Sequence, residues 1–379
     1  MSLQSATRAV RTGIDTDPNF GAVIPPLHLS TNFSFAGLDG KRRYELSELE
    51  GGAGAVVTAS GMAAVGLVLE LLEPGQLLVV PHDCYGGSHR LFRACAGKGR
   101  FELVVIDFHD PGALGAALAR GPAMVWIETP SNPLLRITDI RHVAAAAKAI
   151  GAKVVVDNTF LSPALQQPIA LGADIVVHST TKYINGHSDV VGGAVVAADA
   201  ALHETLAWWA NATGVTGAPF DSYLTLRGLR TLNVRLRAHQ ENTLVLAEHL
   251  AAHAAVAAVH FPGLASHPGH ALAARQQSGF GAMLSFDLHG GVAAVRAFVD
   301  GLACFTLAES LGGVESLIAH PASMTHAAMP EEARRIAGIG DGLLRLSVGI
   351  EDVRDLRADL DAALARAETA LCDRPRHTA

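Results

Sequence analysis

Two short runs decide the fold: Val154-Val-Val-Asp157 and, eighteen residues on, Ile175-Val-Val-His178, which leads into Ser179-Thr-Thr-Lys182. Neither alternates between apolar and polar residues, as a strand with one wet face would. Continuous β-branched runs of this length suit strands covered on both faces, the signature of a parallel sheet. The segment between them, 162–171, reads as a helix, so the unit is strand, helix, strand. Working outward, the same texture recurs at 55–58, 77–80, 103–106 and 124–127 on one side and at 194–196 on the other. Helical stretches at 62–72, 91–96, 113–120 and 140–150 separate them. This alternation predicts an α/β protein whose mostly parallel, seven-stranded sheet is flanked by helices.

Beyond residue 240 the pattern changes. A helix at 241–252 is followed by an alternating strand at 282–288, helices at 292–302 and 352–371, and a further strand at 343–348. We expect a smaller C-terminal α/β domain over 241–379, after a larger domain over 49–240. Residues 1–48 hold Pro18, Pro25 and Pro26 among Gly, Asn, Ser and Thr and keep no helical period, which fits an extended arm lying on another surface. The tail 372–379 is expected to fray.

Composition narrows the function. Of 379 residues, 49% are apolar and 17% charged, so the chain can bury a large core. Twenty-nine Lys and Arg against 36 Asp and Glu give −7, without the basic cluster that phosphate neutralisation requires, so nucleic acid is not an expected partner. The uncharged stretch 53–69 is broken by Thr58, Ser60 and Gly61 and reads as strand, turn and helix rather than a membrane span. Cys84, Cys95, Cys304 and Cys372 show no metal-type or redox-type spacing, and no signal-like opening is seen; a reducing cytoplasm is the expected home.

Only five lysines occur, against 24 arginines. Four read as turn or helix-face residues. Lys182 instead follows a strand in a parallel sheet, where ligands gather beyond the carboxyl ends. There it is either a plain helix-start lysine or an amine whose proton is loosened by burial, a nucleophile for aldehydes. Asp157 ends the neighbouring strand on the same edge. It can cap a helix, hold a metal or face a cationic ring nitrogen; no His or acid stands at ligand spacing for a metal. With Lys182 it points to pyridoxal 5'-phosphate, whose ring works as an electron sink while its nitrogen stays protonated. Ser60-Gly-Met62 opens a helix after a strand and offers free amides to a phosphate, with hydroxyls from Ser179 and Thr181 nearby. Tyr85 offers a ring for stacking, or is simply a loop aromatic. Arg345 lies inside the apolar run Leu343-Leu-Arg-Leu-Ser347; it is either half of a structural ion pair or a fork for a substrate carboxylate. Trp208-Trp209 reads as packing, and most of the 18 histidines as solvated.

These motifs resemble the fold type I pyridoxal-phosphate enzymes of cysteine and methionine metabolism. The match runs through Ser60-Gly-Met, Pro81-His-Asp-Cys-Tyr-Gly-Gly, Glu128-Thr-Pro-Ser-Asn-Pro133, Val156-Asp-Asn-Thr-Phe-Leu-Ser-Pro163, His178-Ser-Thr-Thr-Lys-Tyr-Ile-Asn-Gly-His-Ser-Asp189, Asp221-Ser-Tyr-Leu-Thr-Leu-Arg-Gly-Leu-Arg230 and Glu309-Ser-Leu-Gly-Gly-Val-Glu-Ser-Leu317. The resemblance implies that Lys182 condenses with the cofactor and shuttles protons. It further implies that Asp157 pairs with the ring nitrogen, Tyr85 stacks, and Gly61, Met62, Ser179 and Thr181 hold the phosphate. Asn132 would touch the ring oxygen, while Ser310 and Arg345 would bind the substrate α-carboxylate. It also implies a homotetramer whose arms complete neighbouring sites.

In that family a Tyr-x-Arg pair precedes Asn-Pro-Thr and reaches the adjacent phosphate. Here Lys41-Arg-Arg-Tyr44 runs straight into Glu45, roughly a dozen residues short, a loop-scale change of small closure cost. The implied reaction is γ-replacement: an O-succinyl- or O-acetylhomoserine loses its acyl group and takes the thiol of cysteine, giving cystathionine. Glu309 before Ser310 fits the synthase and γ-lyase branches, with γ-lyase the runner-up; a tyrosine there would have meant β-lyase. From another class, an oligomeric scaffold without activity is the alternative. A nicotinamide dehydrogenase finds no Gly-x-Gly-x-x-Gly after the first strand.

Overall fold

The computed structural model describes residues 4–12, 14, 23, 49–327 and 331–372. Most of the expected 1–48 arm, the 44/45 junction and the tail after 372 therefore lie outside the described residues.

A short helix, α1 (Ser5–Arg11), precedes the first sheet. Its Ala9 is buried among Leu229, Leu232 and Leu236, and its Val10 carbonyl accepts from Arg230 Nε. The first sheet holds β1 (Gly54–Thr58), β2 (Leu77–Pro81), β3 (Glu102–Ile106), β4 (Met124–Glu128), β5 (Lys153–Asp157), β6 (Ile175–Ser179) and β7 (Gly193–Ala197). Their order is β1-β7-β6-β5-β4-β2-β3, and all pairings from β6 to β3 are parallel. β7 runs antiparallel to both its neighbours, which a continuous apolar run cannot announce. The helices between strands are α2 (Gly61–Leu69), α3 (Gly86–Gly97), α4 (Pro111–Leu118), α5 (Ile140–Lys148), α6 (Ser162–Leu165) and, after β7, α7 (Ala200–Thr213).

β4 shows why the runs are continuous. Its Met124 and Trp126 enter one core beside Phe92 and Leu67, while Val125 and Ile127 enter the opposite core beside Val143 and Ala147. Both faces of the sheet are dry. The expected helix at 162–171 stops at Leu165 and resumes as a 3-10 turn at Ile169–Leu171, because Pro168 has no N–H to continue the ladder. Lys153 opens β5 rather than lying in a turn. The stretch 53–69 is β1, a turn at Ser60 and α2, and no helix among the described residues is long and apolar enough to cross a membrane.

α8 (Pro219–Leu229) and the long α9 (Leu232–Ala251) lead to the second sheet. α9 begins nine residues earlier than the expected 241–252. It is followed by β8 (Val256–His260), α10 (His270–Gln276), β9 (Met283–Leu288), α11 (Gly291–Val299), β10 (Thr306–Leu307), β11 (Leu317–Ala319), α12 (Glu331–Ile336), β12 (Leu343–Ser347) and α13 (Val353–Cys372). The five strands order as β10-β11-β12-β9-β8. Leu246, Phe286, Phe298 and Leu360 join α9, α11 and α13 to this sheet. The two sheets meet at a seam, and the site lies along it.

Candidate active site

A cavity of about 1110 Å³ opens beyond the carboxyl ends of β4, β5 and β6 and extends to β12. Gly61, Met62, Tyr85, Asn132, Asp157, Ser179, Thr181, Lys182, Glu309, Ser310 and Arg345 all line it. Residues proposed from motifs spread over almost three hundred positions thus converge in one place.

The phosphate end is set by a close approach. Ser60 caps α2, its Oγ accepting from Ala63 N at 3.0 Å. The N–H groups of Gly61 and Met62 lie in the first turn, where no intrahelical acceptor exists. A Cβ on Gly61 would sit 2.7 Å from Ser179 Cβ, so only glycine lets this helix start rest on the end of β6. Amides, helix dipole and the Ser179 hydroxyl thereby form an anion cradle. The Thr181 hydroxyl is already engaged, accepting from Gly192 N at 3.0 Å and donating to its carbonyl at 3.2 Å.

Asp157 ends β5. Thr159, two residues on, donates its N–H to Asp157 Oδ1 at 3.0 Å, while its own hydroxyl oxygen accepts from Ser179 N at 2.9 Å. Burial pushes the Asp157 carboxyl up, and the Thr159 bonds and His178 pull it back. A cationic ring nitrogen opposite would lower it further. Behind it, His178 Nε2 pairs with Glu50 Oε1 at 2.5 Å, both side chains 2% exposed, and Asn158 Nδ2 donates to the same oxygen at 3.1 Å. This buried pair ties residue 50 to the ends of β5 and β6.

Lys182 donates from Nζ to Ser310 Oγ at 2.7 Å. Burial first, and the Arg345 cation second, lower its pKa to about 8, while Glu309 opposes them. The amine at the strand end thus gives up its proton more readily than an ordinary lysine, as the reading of Lys182 as a nucleophile requires. Ser310 adopts φ 79°, and Gly312 beyond it φ 80°; a Cβ there would lie 2.7 Å from Tyr183 N, so this turn needs glycine. Gly312 N donates to Ser347 Oγ at 2.8 Å, fastening the turn to β12.

Arg345, 3% exposed, has only neutral partners: Nη1 donates to Asn132 Oδ1 at 2.9 Å and Nη2 to the Ser310 carbonyl at 2.8 Å. Its Nε has no partner, and among the described residues no carboxylate pairs with it. Burial lowers it to about 10. A buried cation with no ion-pair partner among the described residues, lining a cavity, can accept an anion there. Asn132 is thus placed between the cavity and Arg345.

Three lining residues were not singled out from sequence. Thr159 orients Asp157, and its position two residues after an Asp is the signal that was available. Glu128, quoted only within a motif, lies opposite Asp157 in register and accepts from Tyr85 N at 2.8 Å. Burial and the Asp157 charge push its carboxyl well above the usual range. His326, held by the Asn132 carbonyl and Thr325, is lowered to about 4 by burial and is neutral. Five histidines, His178, His239, His267, His320 and His326, are buried, while the other described histidines are partly or fully exposed. Trp208 and Trp209 meet edge to face, but Trp208 is 61% exposed.

The donor set fits pyridoxal phosphate: an anion cradle that a Cβ would fill, a carboxylate at the far end, a loosened lysine amine between them, and Tyr85, 46% exposed, beside the space. Among the described residues no cluster could hold a metal. Sheet order and site together define a vitamin B6 enzyme of fold type I. The chain belongs to the Cys/Met metabolism PLP-dependent enzyme family, which matches residues 41–365. It is 53% identical to a cystathionine γ-synthase of Escherichia coli, over 95% of this chain and 98% of that one. The crystal structure of cystathionine γ-synthase from Xanthomonas oryzae pv. oryzae in complex with cystathionine is 66% identical, with TM-score 0.95, covering 98% of this chain and 100% of that one. Cystathionine γ-lyase of Micromonospora echinospora follows at 43% identity and TM-score 0.91, over 96% and 100%.

Proposed function

We propose that the protein makes cystathionine by γ-replacement, joining the thiol of L-cysteine to the carbon skeleton of an O-acylhomoserine and releasing the acyl group as a carboxylate. The observation that carries this reading is the Arg345 cation, without an ion-pair partner among the described residues, set beside Lys182, with Ser310 touching both. An amino acid with its carboxylate on Arg345 brings its Cα within the region Lys182 serves. The similarity to synthases supports this direction, and Glu309 stands where the resemblance separates synthase and γ-lyase from β-lyase.

Pyridoxal phosphate, when bound, supplies an aldehyde for the lysine and a ring that takes up charge when bonds at the substrate Cα are broken. Asp157 would hold the ring nitrogen protonated, Tyr85 would cover the ring face, and Ser60–Met62 with Ser179 would hold the phosphate. Lys182 Nζ would be the group that accepts and returns the substrate Cα proton. Ser310 Oγ keeps that amine oriented between transfers. Arg345 and Asn132 hold the carboxylate. The mouth also carries Arg90 and Arg93 from α3, a charge that suits a succinyl tail over an acetyl one.

We further propose the division into a 1–48 arm, a 49–240 cofactor domain and a 241–379 C-terminal domain, assembly as a homotetramer, and a cytoplasmic home. Product analysis tests the reaction. The purified enzyme is given O-succinyl- or O-acetyl-L-homoserine with cysteine, and separately cystathionine. Cystathionine accumulation, faster with the succinyl ester, is expected. Faster breakdown of cystathionine, to either set of thiol and keto-acid products, would replace the synthase reading with a lyase.

A further inference from the structure

Tyr85 stands at a joint that two bonds hold. Its carbonyl accepts from His89 N at 3.0 Å within α3, and its N–H donates to Glu128 Oε2 at 2.8 Å. As N-cap of α3 its side chain makes no capping bond, so nothing of that kind holds the ring. Gly87 lies tight under it: a Cβ there would come within 2.5 Å of Tyr85 Cε1. A small displacement of the Tyr85 backbone therefore has to move the ring.

Glu128 reaches this joint from 43 residues away, at the end of β4, and is only 7% exposed. Its surroundings do not favour an acid. Asp157 faces it from β5, and Asp83 and Cys84 from the loop before α3. An apolar residue would avoid that repulsion but would leave the Tyr85 N–H without its acceptor. We propose that Glu128 is a positioning residue of the cofactor site: from the end of β4 its carboxyl group fixes the backbone of Tyr85, and so the height and tilt of the Tyr85 ring over the cofactor. The inference rests on Tyr85 as the stacking residue.

The test uses the holoenzyme and two readouts other than turnover: the visible circular dichroism of bound pyridoxal phosphate and its dissociation constant. Tyr85→Ala is expected to change the dichroism and weaken binding. Glu128→Asp keeps the acid but withdraws its oxygen by one methylene. It is expected to change the dichroism in the same sense and raise the dissociation constant about 3- to 10-fold, as for one lost bond to a polar group. Glu128→Gln, with a carbonyl oxygen in the same place, is expected to keep the native spectrum. Adding Glu128→Asp to Tyr85→Ala is expected to cost less than about twofold more, since the ring it positions is gone.

A native spectrum and affinity in Glu128→Asp overturns the proposal, as does a full further loss on the Tyr85→Ala background or a failure of Glu128→Gln to preserve the signal. An unaltered Tyr85→Ala overturns the stacking role first, and this proposal with it.

Discussion

Replacing Arg345 with methionine keeps most of the side-chain volume and deletes the guanidinium. Two consequences follow from its contacts. The first concerns the substrate: Nε and the free edges of the fork are the donors left for a carboxylate once Asn132 and Ser310 are satisfied. Breaking a buried, charge-assisted pair costs about 3–5 kcal/mol, so kcat/KM for cystathionine formation should fall about 10²–10⁴-fold. The second concerns the amine. Arg345 is the second cause, after burial, of the lowering of Lys182 to about 8. Without that cation the ammonium is better tolerated, so the amine loses its proton at higher pH. Apo-protein mixed with pyridoxal phosphate should gain visible absorbance at a rate that climbs through about pH 8 in the native enzyme, following the free-amine fraction. In Arg345→Met the same rise should move to higher pH. A loss in kcat/KM smaller than about tenfold would mean that the carboxylate is gripped elsewhere, and an unmoved capture profile would show that Arg345 does not tune the amine.

Three further outcomes follow. Borohydride reduction of the reconstituted enzyme should tag Lys182 in a peptide map, and Lys182→Ala should show no tag and lose at least about 10²–10⁴-fold in turnover, the contribution of positioned proton transfer. Gly61→Val, which forces a carbon to within 2.7 Å of Ser179 Cβ, should raise the cofactor's dissociation constant about tenfold or more in an absorbance titration, because the cradle must open. Gly312→Ala, strained at φ 80° and crowding Tyr183 N, should destabilise the fold by about 1–3 kcal/mol in thermal unfolding and loosen the turn that carries Ser310.

All seven strands of the first sheet were legible because their apolar runs are continuous: the central strands are buried over most of their length, and the edge strands β1 and β3 are partly covered. Their ends were not. Glu102 and Lys153 belong to strands although they are charged, since a strand end needs backbone pairing more than burial. The direction of β7 was hidden because Val195 and Val196 look alike whichever way the strand runs. α7 and α8 were missed; on α8, Pro219 opens the helix instead of breaking one. Of the site, Lys182 and Asp157 could be read by their place after strands. Glu128 could not, because its partner amide lies across β2 and β4 in space and 43 residues away in sequence. Arg345 stood out as a cation in an apolar run, but that its hydrogen-bond partners are neutral groups could not be read from the run.

At the seam between the sheets, Lys182 comes from the first sheet, while the hydroxyl that steadies it and the cation that loosens its proton come from positions 310 and 345. Without the second sheet packed on it, the end of β6 would carry Lys182 but neither of those neighbours. The tuning of this amine thus depends on the last quarter of the chain being packed in place.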